Sequence, residues 1–147
     1  MIDRESEALS RRYQRKYAGY WQLGLLFWSI VMLLILFLPG SEVPNPKIFL
    51  IPQIDKVVHF IGFLILSILA FKVIESACYS IQGCLHKRAG VLTFMTLGLL
   101  LLFAGLSEVI QEMWIPGRGG DLWDFVADSC GIIAGIIVWR YCLRIAS

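Results

Sequence analysis

Residues 89–106 read AGVLTFMTLGLLLLFAGL, a run of 18 side chains without one charge. A helix rises about 1.5 Å per residue, so this run extends about 27 Å, close to the hydrocarbon thickness of a bilayer. Three further apolar runs flank it: Trp21–Leu38, Val57–Ile74 and Phe125–Tyr141. Lipid leaves only helices or closed barrels able to satisfy their own backbone. Continuous apolar runs without the alternation of a barrel strand favour helices. Of the 147 residues, 58% are apolar and 16% charged, with a mean hydropathy of +0.72. An ordinary soluble domain holds about 45–50% apolar and about 25% charged residues. A chain this short buries only about 70% of its unfolded surface, too little to hide the excess from water. Soluble, disordered and fibrous classes are excluded.

The expected fold is therefore an all-α membrane protein, four transmembrane helices in an antiparallel bundle. The first run is longer than a signal peptide's apolar core of about 7–15 residues. Pro39-Gly40-Ser41-Glu42 follows it in place of a small-residue cleavage site, so an uncleaved first span is expected. Short connections imply one membrane domain over 21–147, preceded by a basic amphipathic cytoplasmic arm over 1–20 that lies on the inner leaflet. Ten basic and four acidic side chains fall on the side of the termini and the middle connection. Three basic and seven acidic ones fall on the other. The positive-inside rule then places both termini in the cytoplasm. A net charge of +2 offers no polybasic footprint, so no nucleic acid partner is expected. Cys78, Cys84, Cys130 and Cys142 form no metal or redox spacing and read as small apolar residues.

Seven acids on the outer side are the first indication of function. Asp55 and His59 stand four apart, on one helix face with Lys56 beside them. Glu108, Gln111 and Glu112 likewise share a face near the end of the third span. The turn Pro116-Gly117-Arg118-Gly119-Gly120-Asp121 leads to Asp124 and Asp128, and Gly131 and Gly135 continue that face in a small-xxx-small pattern that admits a close helix. An acid within a span costs about 2.5–3.5 kcal/mol on insertion scales, so each one needs a reason.

The order Asp55-Lys56-x-x-His59-Phe60, then Glu108-x-x-Gln111, then Arg118, Asp124, Asp128 and Gly131 resembles the VanZ-like family of bacterial membrane proteins. The resemblance spans Asp55 to Gly135 and departs at Asp128, where the family pattern carries Asn. It implies a small multi-pass protein of the bacterial cytoplasmic membrane. A role in low-level resistance to teicoplanin-type glycopeptides comes with it, without a settled chemical activity.

Simpler roles exist for several of these residues. Asp55, Asp121 and Asp124 suit helix N-caps, Glu112 can face water, and Arg118 can anchor to lipid phosphates. The five tryptophans suit the two membrane interfaces. Glu108 and Asp128 are too deep for caps and call for a shared site. Three chemistries compete for it. In the first, Asp55, Lys56, His59, Glu108, Gln111, Arg118, Asp124 and Asp128 bind a membrane lipid or lipid-linked cell-wall precursor, with Arg118 and Lys56 on its phosphate. In the second, His59, Glu108 and Asp124 are acid and base of an enzyme acting on such a lipid. In the third, the polar cluster only fixes helix register. His59, Glu108, Asp124 and Asp128 supply enough N and O donors for a metal. The spacing carries no metalloenzyme motif and no nucleotide fingerprint, however, so no metal and no cofactor are expected.

Overall fold

The computed structural model describes residues 4–39, 53–80, 86–117 and 119–143. It contains four long α-helices: α1 (Arg4–Phe37), α2 (Ile54–Ser80), α3 (His86–Trp114) and α4 (Leu122–Val138). A π-helical turn, Trp139–Leu143, continues α4. All four helices are long and apolar enough to cross a membrane, over Lys16–Phe37, Ile54–Cys78, Gly90–Trp114 and Leu122–Tyr141. Among the described residues there is no strand.

Local chemistry sets the helix ends. α1 stops two residues before Pro39, and α3 stops before Pro116, with Gly117 at a φ of 76° turning the chain back. Asp121 is the N-cap of α4, its carboxylate accepting from the Trp123 N–H at 2.9 Å. α1 also carries the basic residues Arg11, Arg12, Arg15 and Lys16 that precede the first apolar run. The helix runs unbroken from Arg4 to Phe37, so the basic arm and the first span are one element. Gln14, Arg15, Lys16, Ala18, Gln22 and Leu23 around the junction are strong helix formers that outweigh Gly19 and Gly24, and with no proline there nothing interrupts the hydrogen-bond ladder.

α2 is the central helix and the most buried of the four. It packs most extensively on α4 and next on α1, while α3 lies chiefly against α4. Phe63, Leu66, Ala70 and Phe71 of α2, Met32 and Leu36 of α1, Leu100 and Ala104 of α3 and Ile132 of α4 form the apolar core. Phe27, Leu34, Phe94, Leu99 and Ile133 are exposed, as a lipid-facing surface requires.

The α2–α4 seam positions the site. A Cβ on Gly131 would collide with the Phe60 carbonyl oxygen, and one on Gly135 would lie 2.7 Å from that of Leu64. The two backbones therefore touch, as the small-xxx-small pattern suggests. Ser67 Oγ donates to the Ile132 carbonyl at 3.0 Å and locks the register. Trp28 Nε1 donates to the Gly62 carbonyl at 3.0 Å and ties α1 to α2, a role beyond an interfacial anchor.

Candidate functional site

The register of α2 against α4 brings His59 to Asp128 and Lys56 to Asp124. His59 and Asp128 are 1% and 0% exposed, and Nδ1 lies 3.0 Å from Oδ1, a hydrogen bond with one proton between them. α3 supplies the third member. Glu108 Oε1 lies 3.6 Å from the same ring nitrogen, too long for a hydrogen bond. Three atoms of this trio, His59 Nε2, Glu108 Oε1 and Asp128 Oδ2, are buried without a hydrogen-bond partner. Buried polar atoms are nearly always satisfied, and three orphans on neighbouring residues mark a site.

A second tier lies above the trio. Lys56 Nζ is 2.6 Å from Asp121 Oδ2 and 2.8 Å from Asp124 Oδ1. Asp121 stands outside the spans. The Lys56 ammonium, aided by the Trp123 N–H, holds its carboxyl below the usual carboxylate range. Two of the three ammonium donors of Lys56 are thus engaged within the protein, leaving one for a ligand. Asp55 and Asp124 each place an oxygen within 4.8 Å of a His59 ring nitrogen and of one another.

The end of α3 clamps the turn into α4. Glu108 Oε2 accepts from the Asp121 N–H at 3.0 Å, and Glu112 Oε2 accepts from the Gly120 N–H at 2.7 Å. Glu112 therefore shapes the turn besides facing outward. A cavity of about 420 Å³ opens here between α3 and α4. Its walls are Val109, Met113, Leu122 and Phe125, and Glu108, Glu112 and Asp121 line it as well.

Seven of the eight residues expected at the site are described. Asp55, Lys56, His59, Glu108, Asp124 and Asp128 converge. Gln111 does not join them, because its amide donates to the Leu36 carbonyl of α1 at 3.1 Å. Arg118 lies outside the described residues.

Sequence reading missed a second buried polar group at the other end of α2. Lys72 and Glu75, counted there as charges flanking the middle connection, are 4% and 5% exposed. They form an ion pair at 2.8 Å, with Trp139 Nε1 donating to Glu75 at 3.1 Å and Lys72 lying over the Trp21 ring. The signal was a Lys-x-x-Glu spacing level with two tryptophans. Trp139 also stacks on Phe71 at 5.1 Å, so it is a packing residue of the bundle.

Fold and site together define a multi-pass helical membrane protein with an ionisable cluster gathered by three helices at one end. A family model described as VanZ/LLP1 matches residues 8–144, nearly the whole chain. The chain belongs to the VanZ/LLP1 family. Neither curated proteins nor solved structures show a match to it.

Proposed function

We propose that this protein recognises an envelope lipid or lipid-linked cell-wall component at the polar end of its bundle, and thereby contributes to teicoplanin-type glycopeptide resistance. The observation that carries the reading is the cavity between α3 and α4. Val109, Met113 and Leu122 in its wall are also exposed on the surface that meets lipid, so an acyl or prenyl chain can enter from the side. The buried His59–Glu108–Asp128 trio lies beside it, reached through Glu108, which belongs to both. Arg118 and the remaining donor of Lys56 are the groups for a head-group phosphate.

The test is native mass spectrometry of the full chain purified in mild detergent. An intact phospholipid or lipid-linked precursor retained one to one supports recognition. A cleaved lipid product instead supports an enzyme with His59 as base, and a lipid-free protein leaves only a structural cluster. Arg118→Lys loses the bidentate guanidinium fork, and lipid retention should fall about tenfold, the loss of one charge-assisted bond. Unfolding of that variant would instead point to a structural ion pair.

The bundle sits in the cytoplasmic membrane with helices consecutive in the chain antiparallel and both termini inside. The basic asymmetry supports this, as do paired positions that ascend together along α2 and α4 but oppositely along α1 and α2. In a chain whose native cysteines are replaced, cysteines at Asn45 and Gly119 should react with an impermeant reagent from outside. One at Gly83 should not, and its labelling would reverse the orientation.

A further inference from the structure

The trio of His59, Glu108 and Asp128 presents one nitrogen and two oxygens to a single point. His59 Nδ1 is 3.0 Å from Asp128 Oδ1 and 3.6 Å from Glu108 Oε1, and each of the three residues offers a ligand atom within 4.8 Å of those of the other two. Donor atoms bound at about 2.0–2.1 Å around a tetrahedral zinc stand about 3.3 Å apart, between those two separations. The other two orphans, His59 Nε2 and Asp128 Oδ2, belong to the same residues.

One proton cannot serve this arrangement. The proton between His59 and Asp128 lies out of reach of Glu108 Oε1, which is left buried with no donor. The described cation at this end, Lys56, is held by Asp121 and Asp124. A neutral imidazole and two carboxylates sum to two negative charges, and a divalent cation cancels them at the centre of the cluster. In a low-dielectric span that cancellation decides between an unfavourable site and a stable one.

We infer that His59 Nδ1, Glu108 Oε1 and Asp128 Oδ1 hold a divalent first-row transition cation of the zinc class. The donor set argues against calcium, which takes 6–8 oxygens at about 2.3–2.6 Å, and against magnesium, which keeps most of its waters. Asp55 and Asp124, each with an oxygen within 4.8 Å of a ring nitrogen of His59, add two further acidic side chains beside the ligating imidazole. Three protein ligands leave a coordination position open. The inference deepens the lipid reading and rests on it for one consequence. The described polar side chains lining the cavity are all acids, and a cation behind Glu108 lets such a cavity accept a phosphate oxygen.

The experiment uses the full chain in detergent, stripped with EDTA and titrated with Zn²⁺, with Co²⁺ as the spectroscopic probe. One equivalent of Zn²⁺ per chain is expected, together with a Co²⁺ visible spectrum of low coordination number. A chain with all four cysteines replaced by serine should bind equally, which removes the thiols as the source. Asp128→Asn and Glu108→Gln keep the side-chain shapes and should each weaken Zn²⁺ at least about tenfold, the lower end of what lost support around a metal costs. Substoichiometric Zn²⁺ in the wild type overturns the inference. So does undiminished binding in both variants, and so does loss of binding in the cysteine-free chain. Should either variant fail to fold, the wild-type stoichiometry and the cysteine-free chain still decide. Lipid retention measured on the same samples separates the two readings. Zinc bound without lipid leaves the cation site standing alone, and lipid bound without zinc binding leaves only the lipid reading.

Discussion

Gly131→Ala should be the most damaging single-methyl change in this protein. Its Cβ meets the carbonyl oxygen of Phe60, and the Leu64 nitrogen lies 3.1 Å away. Both are backbone atoms of α2, fixed in its hydrogen-bond ladder, so no side chain can swing aside. The helices must separate along their seam. Overpacking ordinarily costs about 1–3 kcal/mol, and a clash with rigid backbone belongs at or above the top of that range. Separation also pulls Asp124 from Lys56 and Asp128 from His59, because those pairs lie two turns and one turn along the same seam. Gly98→Ala is the control. A Cβ there meets nothing within 4 Å, and replacing a helical glycine by alanine gains about 0.5–1 kcal/mol. Thermal unfolding in detergent should therefore show a fall for Gly131→Ala and a small rise for Gly98→Ala. Equal behaviour of the two variants would mean that the seam is not the contact that holds α4.

That seam also explains what could be read from the residues alone. Four spans follow from apolar run length, because lipid leaves the backbone no alternative to a helix. Asp55 and His59, or Asp124 and Asp128, were legible as faces, since spacing by four fixes one side of a helix. Gly131 and Gly135 marked the face that another helix approaches. The partner of each face was not legible, because the register between helices comes from packing across the seam. Hence Gln111, on the same face as Glu108 by spacing, reaches the Leu36 carbonyl of α1 instead of the trio. The pairing of Lys72 with Glu75 escaped for a related reason. Charge counting assigns a residue to one side of the membrane and says nothing of its partners, and here Trp21 and Trp139 from two other helices meet the pair. The extent of α1 escaped because hydropathy marks where a chain meets lipid and says nothing of where a helix starts in water.

Asp128→Ala and Asp128→Asn should differ sharply, and the difference separates the fold's demand on this position from the ligand's. Asp128 is fully buried, and its Oδ1 is the hydrogen-bond partner of His59 Nδ1. Alanine leaves that nitrogen buried and unpaired, at a cost of about 1–3 kcal/mol, and opens a void beside it. Asparagine retains an oxygen in the same place, and the VanZ-like pattern carries Asn here. In EDTA, then, Asp128→Asn should unfold within about 1 kcal/mol of the wild type, a typical net hydrogen-bond contribution, while Asp128→Ala unfolds well below both. Added Zn²⁺ reverses the likeness. A ligand at a hundredfold excess over its Kd stabilises the folded state by about 2.7 kcal/mol. The wild type should gain on that scale, and Asp128→Asn, with a neutral and weaker donor, should gain much less. If Asp128→Asn is as unstable in EDTA as Asp128→Ala, the fold itself requires the negative charge at this position. The His59–Asp128 contact is then an ion pair that exists without metal, and breaking it costs about 3–5 kcal/mol.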